Sequence, residues 1–289
     1  MNSPARNSRQ PLCMWRRGLR FICLLAVGLA AVLLGCQSRL IYFPRSYQDR
    51  ELEGFRKRNG RRLDFTTGEG RQAAWLIPPE SQKPAERLWI VCGGNAARAL
   101  DMEDFCRSLP FHDDAFLLVD YPGYGECQGS PRPSRIRDSL KTVIPLAAQQ
   151  LHIEVADIPA RTCVFGHSLG CAAVLIAAEE FRLRRAVLCS PFTSTMDMAA
   201  VVLKAPLGFL IWHRFDNRAG LAALQRAGGR AWIFHGGDDS IVPPQMSRTL
   251  AEEFSSTVTH EEVPAAGHND IVSRAFSRLA AAMSAARTE

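Results

Sequence analysis

Thr162–Phe181 reads TCVFGHSLGCAAVLIAAEEF. Its first four residues are a short apolar run rich in β-branched and aromatic side chains, which suits a strand covered on both faces. Its last eleven are rich in Ala and have the length of a helix. Between them Gly166-His167-Ser168-Leu169-Gly170 must turn the chain sharply from strand to helix. Small residues two before and two after Ser168 let neighbouring backbone pack close. The start of the following helix directs its unpaired N–H groups and dipole at any negative charge forming there. The pentapeptide alone is weakly specific; the strand before it and the helix after it supply the context it needs. Ser168 is therefore a candidate nucleophile, although a serine in this place could equally be a helix N-cap.

Working outward, the same alternation repeats. Leu63–Thr67 and Gln72–Pro78 read as an opening hairpin, and Leu88–Gly93, Ala115–Asp120, Ala186–Ser190 and Ala231–His235 as short buried strands. Helix patterns fall at Ala99–Leu109, Ser134–Gln150, Ser168–Phe181, Pro244–Phe254 and Ile271–Ala286. This alternation predicts an α/β fold: a mostly parallel, doubly wound sheet with helices on both faces. Thr193–Gln225 interrupts the rhythm with an insertion far longer than a normal connection, and it is rich in Met, Val, Leu, Phe and Trp. We expect a small helical lid there, over about residues 193–225.

A serine hydroxyl needs a base to take its proton, and the base needs an acid to orient it. Two downstream loops supply both. His235-Gly236-Gly237-Asp238-Asp239-Ser240-Ile241-Val242-Pro243 follows one strand, and Gly267-His268-Asn269-Asp270 follows the strand candidate Glu261–Val263. Loops at strand C-termini are where sites of open α/β sheets gather, so order, spacing and context lift a candidate triad of Ser168, Asp239 (with Asp238 adjacent) and His268 above coincidence. His235 is expected to bond loop backbone at a strand end, and His167 to pack within the elbow.

From about Leu63 onward the chain resembles the α/β-hydrolase superfamily. More narrowly, it is similar to membrane-associated serine hydrolases of the depalmitoylase and serine aminopeptidase-like group. The resemblance rests on Tyr42-Phe43-Pro44, Gly94-Asn95-Ala96, Asp120-Tyr121-Pro122-Gly123-Tyr124-Gly125, the elbow and the two loops just quoted. It implies the α/β-hydrolase fold, favours Asp239 over Asp238 as the acid, and implies an oxyanion hole made by the backbone N–H groups of Asn95 and Leu169. Gly93 stands where such proteins usually carry His, and Cys127 where Ser is common. The activity implied is that of a serine hydrolase cleaving carboxylic esters or thioesters through an acyl-enzyme. A serine peptidase, an acyltransferase using the same triad, or a catalytically silent scaffold of the same fold are the alternatives.

The 289 residues, 47% hydrophobic and 22% charged, suit one large domain and exclude collagen-like or strongly disordered chains. The formal charge of +6 is concentrated in a leader: Arg6, Arg9, Arg16, Arg17 and Arg20 precede the apolar run Phe21–Leu34, with no acid among the first 35 residues. The remainder is close to neutral, which removes support for a nucleic-acid partner. The basic start and short apolar core have the form of a signal peptide over residues 1–35. Leu33-Leu34-Gly35-Cys36 resembles a lipoprotein processing site, implying lipidation at Cys36 and an N-terminal arm over 36–62. The hydrolase domain would then span 63–289. This places the chain in a bacterial cell envelope, held by its lipid on the periplasmic side of the outer membrane; an uncleaved inner-membrane signal anchor is the alternative. Six other cysteines, Cys92, Cys106, Cys127, Cys163, Cys171 and Cys189, show no metal-ligand spacing. The expectation is no metal, no cofactor, an ester- or thioester-bearing small or lipid-like substrate, and a monomer.

Overall fold

A computed structural model describes residues 37–81 and 83–288, with isolated earlier positions (Trp15, Gly18, Arg20, Phe21, Leu24, Gly28 and Gly35). Most of the leader, and Cys36 with it, lie outside the described residues. Among those described, no helix is long and apolar enough to cross a membrane.

An eight-stranded sheet organises the chain. Its strands are β1 (Arg61–Thr67), β2 (Gly70–Ile77), β3 (Leu88–Cys92), β4 (Ala115–Val119), β5 (Thr162–His167), β6 (Arg185–Cys189), β7 (Arg230–Gly236) and β8 (Val258–Val263), in the order β1-β2-β4-β3-β5-β6-β7-β8. β1 and β2 form the expected hairpin, and β2 meets β4 antiparallel. From β4 to β8 every pairing is parallel. The fold is that of the α/β-hydrolases.

Both faces of the sheet are buried, which is why the strands read as unbroken apolar runs. Leu88, Ile90 and Cys92 of β3 join one hydrophobic core, and Trp89 and Val91 join the other. The first core is closed by α3 (Pro133–Gln150), α4 (Leu169–Phe181), α6 (Asn217–Arg226) and α7 (Pro244–Glu253). The second is closed by α1 (Asp49–Lys57), α2 (Glu103–Ser108) and α8 (Phe276–Thr288). β5 and α4 are central, so the elbow between them opens at the middle of the sheet's C-terminal edge.

Besides a break at Ala275 in the expected helix Ile271–Ala286, the elements differ from the sequence reading in three places. The segment expected as an arm packs into the domain: Leu52 and Phe55, three apart on α1, are buried, as is Tyr42. The expected helix Ala99–Leu109 begins as a tight 3-10 turn over Ala99–Met102, because the Ala99 N–H is held by the buried Asp120 carboxylate at 2.8 Å. The insertion after β6 also divides in two. Helix α5 (Thr195–Leu203) and the turn Gly208–Leu210 form a lid, whereas α6 packs on α4. Its Leu221 and Leu224 are buried at helical spacing, and Gly220 lies close against Leu175. Only the first part of the insertion therefore borders the pocket beside Ser168.

Candidate active site

Ser168 occupies the turn with φ 55° and ψ −119°, a conformation side chains adopt only when the surroundings impose it. Those surroundings are backbone. A Cβ at Gly170 would run into the carbonyl of Cys92, and one at Gly166 would lie 2.6 Å from the carbonyl oxygen of Gly170. The two glycines flanking the serine are thus required by close packing, and the Ser168 N–H is tied to the Cys189 carbonyl at 2.8 Å. Leu169 opens α4, so its N–H lies in the first turn, where no intrahelical acceptor exists.

The three side chains selected from the sequence converge. His268 Nε2 lies 2.9 Å from Ser168 Oγ, and His268 Nδ1 lies 2.7 Å from Asp239 Oδ2. All three residues are buried. With Nδ1–H directed at the carboxylate, Nε2 is left as an acceptor facing the hydroxyl, an assignment that follows from the hydrogen-bond pattern. Such a relay can move a proton from hydroxyl to imidazole.

Asp239 rather than Asp238 meets the His268 ring for a local reason. Its Oδ1 accepts the N–H groups of Ile241 (2.9 Å) and Val242 (2.8 Å), a turn closed by its own side chain at the end of β7. Its Oδ2 is also 3.2 Å from His235 Nε2. Burial by itself would raise this carboxyl, but the hydrogen bonds from His235 and His268 and the nearby His268 charge outweigh it and hold the group well below the usual carboxylate range.

His235 bonds loop backbone as expected, its Nε2–H reaching the Val242 carbonyl at 2.9 Å. Its contact with Asp239 was not legible in the sequence. His167 does more than pack: its Nε2–H donates to the His268 carbonyl at 2.9 Å, which fixes the backbone of the histidine loop. Burial and the neighbouring His268 lower its imidazole to about 4, so it serves as a neutral donor. In the same loop, Asp270 accepts the Gly267 N–H at 2.6 Å.

Asn95 and Leu169 line one pocket together with Ser168. The peptide of Asn95 is clamped from two sides. Its carbonyl accepts the Tyr124 hydroxyl (2.5 Å) and the Phe43 N–H (3.0 Å), while its side-chain amide donates to the Ile41 carbonyl at 2.7 Å. The motifs around Tyr42 and Asp120 thereby acquire a physical role, because they hold the loop after β3. Asp120 itself accepts Trp75 Nε1 and the Tyr47 hydroxyl, each at 2.8 Å. Gly93, in the place of the more usual His, has its carbonyl held by Tyr121 at 2.6 Å. Cys127 makes up for the missing Ser with its thiol, which exchanges weak hydrogen bonds with the backbone of Ala73. The six domain cysteines are all buried and unpaired; burial raises each thiol, Cys127 to about 12, which leaves them inert.

The pocket has a volume of about 350 Å³ and a mostly apolar wall. The lid supplies Met198, Val202, Leu203, Leu207 and Leu210, and the loop after β7 supplies Ile241. A third wall, unanticipated from the sequence, comes from Gln37, Leu40 and Ile41. Gln37 is buried and spans the gap to the lid: its amide N–H donates to the Leu210 carbonyl at 2.6 Å, and its amide oxygen accepts the Trp212 N–H at 2.7 Å. His213 adds a second fastening through the Tyr42 hydroxyl at 3.1 Å.

Comparison with known proteins agrees with this architecture. Residues 100–226 match the sequence model of the alpha/beta hydrolase family. An uncharacterized protein of Mycobacterium tuberculosis is 29% identical over 252 residues, covering 86% of either chain. The human alpha/beta hydrolase domain-containing protein 17B is 26% identical over 179 residues, 62% of this chain and 59% of that protein. Among solved structures, an esterase of Pyrococcus furiosus superposes with a TM-score of 0.63 at 13% identity, covering 85% of this chain and 98% of that one. The esterase Est1E of Butyrivibrio proteoclasticus, solved with ferulic acid bound, gives a TM-score of 0.59 at 14% identity over 78% of this chain and all of that one. At such identities the structural likeness speaks for the fold alone. The fold, the matched segment and these relatives together support the α/β-hydrolase superfamily for this chain.

Proposed function

We propose that the protein is a serine hydrolase that cleaves carboxylic esters or thioesters of apolar acyl groups. The observation that carries this reading is the unbroken relay from Ser168 Oγ through His268 to Asp239, with contacts of 2.9 and 2.7 Å, at the floor of an apolar pocket. In the proposed reaction His268 Nε2 takes the hydroxyl proton as Ser168 Oγ bonds to the carbonyl carbon. The carbonyl oxygen becomes an oxyanion held by the Asn95 and Leu169 N–H groups, each worth about 3–4 kcal/mol in the transition state. The carbon–oxygen or carbon–sulfur bond then breaks, and the imidazolium returns its proton to the leaving group. Water, deprotonated by the same histidine, releases the carboxylic acid and restores the serine. Asp239 keeps the ring in the required tautomer and stabilises its charged form.

The pocket supports an acyl rather than a peptide substrate, because its wall offers apolar surface and few polar groups beyond the floor. Esterases are among the solved structures that share the fold. The leader adds a proposed location, with lipid on Cys36 tethering the domain to an envelope membrane. A fluorophosphonate probe tests the chemistry: the purified protein is expected to be labelled and Ser168→Ala is not. Absence of labelling on folded wild-type protein would return the reading to a silent scaffold. Mass spectrometry of the mature N-terminus tests the tether, and an intact 1–35 leader would overturn lipidation at Cys36.

A further inference from the structure

We infer that the rim of the pocket is a bilayer-contact surface, set into the boundary between lipid head groups and acyl chains so that the pocket mouth opens toward lipid. This deepens the reading of a tethered hydrolase and rests on it for the tether alone. Large apolar side chains stand exposed around one opening: Trp212 is 75% exposed, Val202 70%, Leu40 61% and Phe209 60%, with Ile241 also exposed. Single exposed apolar residues are ordinary, but a cluster around a pocket is not. These five come from three separate segments. Leu40, Val202 and Ile241 line the pocket itself, and Phe209 and Trp212 flank its wall residues Leu210 and Ile211.

Two further observations select a bilayer over a protein partner. The first is charge. The segments 37–48 and 198–215, which carry most of the rim, contain Arg39, Arg45, Lys204 and Arg214 and no acid; Asp49, Asp197 and Asp216 adjoin their ends, and Asp238 stands three residues before Ile241. Arg45 is paired with Asp101, whereas Arg214 bonds the carbonyls of Ile211 and Phe209 beneath the rim. Aromatic and aliphatic side chains beside basic ones are the composition that settles at an anionic membrane interface. The second is where the chain leaves. Gln37, the first residue of the continuously described chain, is fastened to the backbone of Leu210 and Trp212 at this same rim. In sequence it directly follows Cys36 and the apolar run Phe21–Leu34. Tether and apolar rim therefore share a face, and any membrane holding the first also meets the second.

The test uses the full chain in vesicles of phosphatidylethanolamine and phosphatidylglycerol that include lipid brominated along its acyl chains. The difference in emission between wild type and Trp212→Phe isolates Trp212 from the other tryptophans. Quenching of that component by the acyl bromines, with protection from aqueous iodide, is the expected result. Quenching by iodide without quenching by bromine would overturn the proposal, and so would protection from both, which would mean a second copy or another protein covers the rim. Phe209→Ser with Trp212→Ser supplies a second readout. Turnover of a vesicle-embedded long-chain thioester should fall about tenfold or more, while a soluble short-chain ester is cleaved as before; equal loss on both substrates would count against the surface. If wild type shows Trp212 buried in lipid yet turns over neither substrate, the surface stands and the hydrolase reading falls.

Discussion

The floor and the wall of the pocket are built in different ways. The floor is carried by main-chain geometry at the ends of β5, β7 and β8. Ser168 follows β5 directly, Asp239 lies three residues after β7 and His268 five after β8; all three are buried, the Asp239 carboxylate accepts the N–H groups of Ile241 and Val242, and the Ser168 N–H is tied to the Cys189 carbonyl. The wall is carried by side chains on α5 and on the segment after Gln37, many of them exposed, and it is fastened by a small number of polar contacts between residues far apart in sequence. The contrast separates chemistry from selectivity. The position of a nucleophile tolerates little movement, so it is set by strand ends that cannot shift without unfolding the sheet. An apolar wall needs only to exclude water and present surface, so a layer fastened by few bonds suffices.

Removing a member of the floor should therefore abolish rate and leave fold alone. Ser168→Ala or His268→Ala is expected to lower kcat by about 10⁶-fold, the loss seen when triad members acting as a unit are removed. Thermal denaturation should be nearly unchanged. Asp239→Asn should cost about 10⁴-fold, because an amide that donates to Nδ1 selects the wrong tautomer. Asp238→Asn, one residue away, should retain activity within a few-fold of wild type. Steady-state kinetics on a p-nitrophenyl ester reads all four variants. Comparable losses from Asp238→Asn and Asp239→Asn would break the assignment of the floor.

The same contrast explains what could be read without coordinates. Ser168 and the loop of Asp239 were legible because the local backbone demands the residues around them, with Gly166, Gly170 and Gly236 standing where a Cβ would strike neighbouring backbone; His268 was legible from chain order, and Asp239 was preferred to Asp238 through the family resemblance. The strands were legible because a sheet covered on both faces requires unbroken apolar runs. Gln37 was not legible, since nothing near a lone glutamine indicates that its amide spans to backbone 173 residues further on. The insertion looked uniform because apolar residues dominate both halves, yet the i, i+3 spacing of Leu221 and Leu224 marks α6 as core. The contact between His235 and Asp239 escaped notice because both already had sufficient reasons to be where they are.

A smaller effect sharpens the wall. Gln37→Leu keeps the size and loses both polar contacts to the lid, leaving the Leu210 carbonyl and the Trp212 N–H without their partners. At about 1 kcal/mol for each hydrogen bond, the lid should open locally with about 2 kcal/mol less resistance. Amide exchange at Trp212 should quicken about 30-fold, while exchange in β5 and α4 stays at its wild-type rate. Equal acceleration in all three would mean that floor and wall are one cooperative unit, and the comparison drawn above would fail.

The smallest effect concerns the one side chain that joins elbow to histidine loop. His167 is neutral in the folded protein, its imidazole lowered to about 4 by burial and by His268, against an ordinary value of 6.5. Above pH 6.5 neither folded nor unfolded chain protonates it, and its contribution to stability is complete. As pH falls from 6.5 toward 4 only the unfolded chain binds the proton, so stability declines; below 4 both states are charged and nothing further is lost. Because His167 as a residue is not fully buried, the loss should be about 1 kcal/mol rather than the full equivalent of the shift. His167→Gln keeps an N–H for the His268 carbonyl and removes the titration. Urea denaturation at a series of pH values should show the variant less sensitive than wild type between 6.5 and 4, with the two curves running parallel outside that interval. Parallel curves throughout would mean that His167 protonates in place, and that the elbow does not depend on a neutral donor to hold the histidine loop.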